Sequence, residues 1–149
     1  VLNLVMFSKA KKVVFIPKHF NHYRQYNINS ITKNHGLNLF EKYKKMILSI
    51  EKYLVKIREF ENFEKALNNR ISLSLINLIL SVSSKKLLIK RSVKLKLIKE
   101  ILSDSKIQNA LKYLELKYMS LHWKLFFSLC RFQSYNGLYY LGKLMIKLR

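Results

Sequence analysis

The residues best suited to chemistry in this sequence lie between Phe20 and Thr32. If residues 20–26 are extended, alternate side chains share a face, so Phe20, His22, Arg24 and Tyr26 line one side and Asn21, Tyr23 and Gln25 the other. That places an imidazole beside a guanidinium. Arg24 would offer a planar, permanently charged donor fork that matches phosphate oxygens, including those of a nucleotide diphosphate. An arginine in this position also has an ordinary use, pairing with a carboxylate elsewhere in a protein. His22 can ligate a divalent metal, donate to a diphosphate, or serve as a hydrogen-bonding strand residue. Ser30 and Thr32 can contact phosphate or cap a helix.

The elements around these residues follow from local pattern. Val13-Val14-Phe15-Ile16 is a β-branched and aromatic run stopped by Pro17, which predicts a short buried strand. Before it, Leu2, Val5, Met6 and Lys9 recur at helical spacing, and Lys9, Lys11 and Lys12 sit where a helix carboxyl end favours cations. After it, Asn27, Asn29, Ser30 and Thr32 are turn residues. The chemistry missing from the chain is equally informative. No Asp or Glu precedes Glu41, Asp104 is the sole aspartate, and there is no glycine-rich phosphate loop or CxxC pair. His19, His35 and His122 have no partners at metal-site spacing. No residue here is a candidate general acid or base, so no catalytic residue is assigned.

Lys9 to Pro17, then His22-Tyr23-Arg24, then Asn29-Ser30-Ile31-Thr32, resembles the end of the catalytic domain in bacterial family 2 glycosyltransferases of the GT-A type. Those enzymes commonly carry an "ak-x-v-x-x-i" strand, a "Y-x-Y-R" and a downstream "N-S-I-T"; many have an aromatic where His22 stands. The resemblance covers residues 1–34. It implies that Arg24 lies beside the donor pocket, with His22 and Ser30 as further donor-phosphate contacts. It implies a parent enzyme moving a sugar from a nucleotide-sugar donor to a surface polysaccharide or lipid-linked glycan acceptor. A divalent metal, Mg or Mn, is expected for that parent, with ligands that this chain does not contain. Family members place their acidic motifs before this point, and the chain starts at Val1. The expectation is therefore a carboxy-terminal piece, inactive by itself, with residues 1–36 ending a GT-A-like α/β domain and residues 37–149 forming a basic helical extension.

Composition bears on that extension. Half the residues are hydrophobic while glycine and proline number 3 and 1, which favours long helices with few tight turns. The expected fold class is mainly α, a helical bundle following a short strand-containing remnant. A net charge of +21 calls for anionic partners: nucleic acid, an anionic membrane surface or phosphorylated substrates. AT-rich coding sequence would raise Lys, Ile and Asn as well. The single cysteine, Cys130, excludes an internal disulfide and fits a packed side chain in a reducing compartment. The longest uncharged run, Ile71 to Ser84, has 14 residues, short of the roughly 20 needed to span a bilayer.

Along the extension, Asn34-His35-Gly36 is read as the domain edge. A long amphipathic helix is predicted from Leu37 to Asn68, with Phe40, Tyr43, Ile47, Ile50, Leu54, Ile57 and Phe60 on its apolar face. Asn68-Asn69 and Ser72 mark a weak break. Ile71 to Leu80 is apolar nearly all round, as in a central helix, although its alternation over Ile71 to Leu75 also suits a strand. Lys85 to Leu102 holds seven basic residues against Glu100. Ser103-Asp104-Ser105 supplies an N-cap for a helix from Lys106 to Tyr118. Met119 to Arg149 interleaves aromatics with cations and is broken at Asn136-Gly137. Trp123, Lys124, Arg131, Lys143 and Lys147 are the expected contacts to an anionic membrane, with aromatic packing into the core as the competing use. The expected location is cytoplasmic and peripheral, at the inner face of the bacterial cell membrane. The rival reading is a stand-alone basic module that binds nucleic acid or membrane, though no zinc finger, RNP or helix-turn-helix signature is present.

Overall fold

The computed structural model describes residues 5, 6, 9–12, 14, 38–85 and 87–148. Most of the chain is helical, and among the described residues there is no strand. Of the strand predicted at Val13 to Ile16 only Val14 is described, and it is exposed and in no strand; the extended stretch carrying His22 and Arg24 lies outside the described residues. From Leu39 onward six helices follow one another: α1 (Leu39–Lys56), α2 (Phe60–Ser83), α3 (Arg91–Ser103), α4 (Ser105–Tyr113), α5 (Leu121–Arg131) and α6 (Tyr135–Lys147); before them Val5, Met6 and Lys9 are also helical.

The helix predicted over Leu37 to Asn68 is two helices. α1 buries Phe40, Ile47, Ile50 and Leu54, the expected face, and then stops. Arg58 takes a left-handed backbone, φ 59°. Its amide donates to the Val55 carbonyl, and the Glu59 amide donates to the Leu54 carbonyl. This pair of bonds is a Schellman cap, which glycine usually provides because it has no Cβ to strain. With no glycine near, the sequence gives little sign of the turn. Conversely, α2 runs without interruption through Asn68, Asn69 and Ser72 to Ser83, so Ile71 to Leu80 is helix and not strand.

α2 is the axis of the bundle, touching α1, α3, α4 and α6. Its apolar circumference follows from this position: Ile71, Leu75, Leu78, Ile79 and Val82 are all buried. The centre of the core joins Leu75 and Ile79 to Ile98, Leu102, Ile107, Leu111, Phe126 and Leu138 from the other helices. Each such side chain removed from water contributes about 1.5–3 kcal/mol. α2 and α6 approach closely: a Cβ added to Gly142 would come 2.6 Å from the Ser83 hydroxyl. That glycine is a packing residue, not a weak point in the helix.

Side chains close the helix ends. Lys94, buried in α3, donates from Nζ to the Ser84 carbonyl at 2.6 Å, just past the end of α2. Asp104 caps α4 as its spacing suggests, with Oδ1 accepting from the amides of Lys106 at 3.0 Å and Ile107 at 3.3 Å. α4 is shorter than predicted, ending at Tyr113. The Arg131 guanidinium reaches back from α5 to the carbonyls of Leu111 and Leu114, groups that a helix end leaves without intrahelical donors.

The break predicted at Asn136-Gly137 falls earlier, at Phe132–Ser134. Gln133 takes φ 51°, its amide bonds the Cys130 carbonyl, and the Ser134 amide bonds the Leu129 carbonyl. This is the α1 cap again, with glutamine in place of arginine. Asn136 and Gly137 instead occupy the first turn of α6, where a Cβ on Gly137 would lie 3.2 Å from the Leu129 side chain.

Candidate membrane-facing surface

α5 and α6 form a helical hairpin whose inner faces belong to the core. Phe126, Phe127 and Cys130 are buried on α5, and Leu138, Tyr139 and Gly142 on α6. Burial pushes the Cys130 thiol up to about 12, so it is an inert packed group at neutral pH. Ordinary amphipathic helices would turn polar residues outward. These turn apolar residues outward as well. On α5 Leu121 is 83 % exposed, Leu125 52 % and Phe132, just past its end, 84 %. On α6 Tyr140 is 53 % exposed, Leu144 52 % and Leu148 78 %.

The two stripes adjoin. Leu129 of α5 faces Gly137 of α6 across the hairpin. One and two turns back along α5 from Leu129 are Leu125 and Leu121, and one, two and three turns along α6 from Gly137 are Leu141, Leu144 and Leu148. These leucines border one seam between the helices. The seam's apolar residues therefore form a continuous strip, of the kind that marks an interaction surface rather than scattered exposure.

Cations flank the strip and no acid interrupts it. Residues 116–149 contain Lys117, Lys124, Arg131, Lys143, Lys147 and Arg149, and no Asp or Glu follows Glu115. Of the five residues expected to meet a membrane, three stand free of carboxylates beside the strip. Lys124 is half-buried on the α5 flank; Lys143 and Lys147 are exposed on the α6 flank. The other two have partners within the bundle. Trp123 is half-buried and meets Phe126 edge-on at 6.0 Å. Arg131 spends its guanidinium on the α4 carbonyls.

Sequence reasoning missed the leucines and Arg91. The Arg91 guanidinium lies over the rings of Tyr140 at 5.1 Å and Tyr139 at 5.9 Å, and Nη2 donates to Asn136 Oδ1 at 3.1 Å. The available signal was the second stripe: Leu121-Leu125 and Tyr140-Leu144-Leu148 repeat at four residues, on faces that the core-facing stripes do not use.

Elsewhere the described residues offer little for catalysis. A groove of about 360 Å³ runs between α1 and the start of α4, with Phe40, Tyr43, Ile47 and Ile107 among its walls. Its carboxylates are engaged: Glu41 pairs with Lys44 at 2.5 Å, and Asp104 caps α4. The Tyr43 hydroxyl is buried without a hydrogen-bond partner at normal distance. Burial pushes its phenol up, partly offset by Ser74 and the charge of Arg70. No group of three metal-ligating side chains converges among the described residues, so residues 38–148 do not bear on the expected divalent ion. Among the described residues no helix is long and apolar enough to cross a membrane. Arg24, His22 and Ser30 lie outside the described residues. The chain matches no protein-family model, and no curated protein or solved structure matches it either.

Proposed function

We propose that the helical bundle holds the protein on an anionic membrane surface through α5 and α6, as the carboxy-terminal part of a glycosyltransferase. The observation that carries the membrane role is the leucine strip between the two helices, edged by Lys124 on one side and Lys143 and Lys147 on the other, with no carboxylate among them. Such a surface enters the headgroup boundary with its apolar centre while its edges meet lipid phosphates. Each cation near an anionic leaflet contributes about 1 kcal/mol. The strip favours lipid over nucleic acid, because its leucines suit acyl chains, whereas base stacking would use only the rings of Phe132 and Tyr140 at its margins.

The transferase role rests on the residues from Lys9 to Thr32 and their resemblance to family 2 enzymes. In that reading Arg24 offsets the charge that develops on the departing nucleotide diphosphate. A divalent ion, held by residues of the parent enzyme outside this chain, would supply further Lewis-acid stabilisation there. Membrane attachment would suit an acceptor that is itself lipid-linked or surface-bound.

Two experiments test the two roles separately. The chain should co-sediment with phosphatidylglycerol-containing vesicles and not with phosphatidylcholine vesicles, and Leu125→Glu with Leu144→Glu should abolish pelleting. Equal pelleting with both lipids, or steep salt-dependent binding to mixed-sequence DNA without vesicle binding, would overturn the membrane role. For the transferase, Arg24→Ala in the full-length protein should cut sugar transfer while folding survives; unchanged transfer removes the assigned role.

A further inference from the structure

At the edge of the leucine strip, α3 and α6 meet in a cluster with an unusual charge balance. Arg91 is held on three sides, by Asn136 Oδ1 at 3.1 Å and by the rings of Tyr140 and Tyr139. Lys143 places its ammonium 4.9 Å from the centroid of the same Tyr139 ring. Two like charges are thus drawn to one buried phenol ring. Stacking of cations on aromatic faces tolerates this but does not neutralise it. No acid answers them: the first turns of α3 and α6 contain no carboxylate, and neither Arg91 nor Lys143 takes part in an ion pair among the described residues. Lys90, also exposed, precedes Arg91.

We propose that Arg91, Lys143 and Tyr140 form a binding site for a phosphate-bearing anion, and that the phosphate is that of a lipid headgroup. A guanidinium held against two rings and by one hydrogen bond keeps further N–H groups with which to grip phosphate oxygens. The Lys143 ammonium supplies a second charge from the neighbouring helix. Position selects lipid as the source. Tyr140 precedes Leu144 by one helical turn and Leu148 by two, all exposed, so a phosphate gripped at Arg91 leaves its glycerol against Tyr140 and its acyl chains over the strip. The assignment rests on the membrane reading for its location, while the anion chemistry stands on the cluster itself.

The test uses the full chain, labelled for NMR, with the Arg91 Nε–H signal as readout and, in the Arg91 variant, the Asn136 side-chain amide and Tyr140 ring signals. Glycerol 1-phosphate should shift that signal saturably, and acetate at equal ionic strength should not. Arg91→Lys keeps the charge and loses the stacked fork, so it should weaken phosphate binding about fivefold or more; Lys143→Gln should do the same. A second arm compares phosphatidylcholine vesicles doped with phosphatidylglycerol or, at equal surface charge, with oleate. Arg91→Lys should lower partition to the phosphatidylglycerol vesicles several-fold and leave the oleate vesicles unaffected. Non-saturating shifts, or Arg91→Lys binding phosphate as wild type does, would overturn the site. A saturable phosphate shift without vesicle binding would keep the anion site and overturn lipid as its source, and with it the membrane role.

Discussion

The outer face of α1 and the outer faces of α5 and α6 sit on the same bundle, yet they balance charge in opposite ways. Around α1, carboxylates accompany the cations: Glu41 pairs with Lys44 on the same helix, and Glu51 pairs with Lys106 of α4. A third pair, Lys65 with Glu115, joins α2 to the segment after α4. Every one of the chain's eight acids lies between Glu41 and Glu115. Around α5 and α6 there is none, and leucines stand exposed between the cations. On the α1 side carboxylates offset part of the positive charge. The α5–α6 side has two deficits at once, uncovered apolar area and positive charge with no carboxylate beside it, which one anionic amphiphile would satisfy together.

The sharpest way to break this comparison is to exchange an inward for an outward aromatic of the same hairpin. Phe126 is fully buried and meets Phe127 edge-on at 5.2 Å. Phe126→Ala should cost about 3–5 kcal/mol by chemical denaturation, which in so small a bundle threatens the fold. Phe132→Ser, at the outer end of the same helix, should change stability by less than about 0.5 kcal/mol and yet reduce pelleting with anionic vesicles. Equal stability losses would mean that the outward stripe is covered by something in the folded chain. Cys130 reports on the inner face independently. Its thiol is pushed up to about 12 by burial, above the value of an unfolded cysteine, so the folded state holds the proton more tightly. The resulting stability is fully present below the unfolded pKa and declines as pH rises from about 9 towards 12. At pH 8 alkylation should therefore await unfolding, and rapid labelling of the native chain would place Cys130 nearer solvent than the structure does.

A smaller effect separates two cations that look alike in sequence. Arg131 holds the α4 carboxyl end and Lys147 holds nothing in the bundle. Arg131→Gln should destabilise by roughly 1–2 kcal/mol, because charge-assisted bonds to otherwise orphaned carbonyls are lost. Lys147→Gln should leave the melt unchanged and weaken binding to anionic vesicles about fivefold, the equivalent of roughly 1 kcal/mol per cation. If both variants behave alike in both measurements, the division of cations into structural and surface ones fails.

How far the sequence revealed this arrangement depended on the kind of signal. Helical class, the buried face of α1, the all-round apolarity of α2 and the Asp104 cap followed from spacing and composition. The turns did not. Asn136-Gly137 carries the usual breaker residues and lies inside a helix, because Gly137 is there to let Leu129 approach. Ile57–Glu59 and Phe132–Ser134 carry no breaker and are turns. On the surface, lysines and the tryptophan attracted the functional reading, whereas Trp123 and Arg131 face packing partners. The leucines that define the strip drew no assignment. A four-residue repeat does not say which of two apolar faces meets protein; only the placement of neighbouring helices decides it. Arg91 was hidden for a related reason, since its partners Asn136, Tyr139 and Tyr140 are distant in sequence.

The least visible feature also gives the smallest and cleanest prediction. Arg58 and Gln133 both end helices in the left-handed region, where a Cβ meets the backbone and glycine does not. Each makes the same two amide-to-carbonyl bonds, so the caps differ in side chain and helix but not in geometry. Arg58→Gly and Gln133→Gly should therefore each stabilise the fold by up to about 1 kcal/mol, less the extra entropy that glycine gives the unfolded chain. Because the sites lie in different hairpins, the two gains should add in the double variant. The comparison between faces predicts a further contrast. Gln133→Gly alters the turn beside Phe132 without touching a cation or a strip leucine, so vesicle binding should hold at the wild-type level as the melt rises. Destabilisation by either glycine would show that the turn is not left-handed in solution. A gain in stability with a loss of vesicle binding would mean that the α5–α6 surface needs the looser hairpin, and that the strip is assembled at the membrane and not presented ready-made.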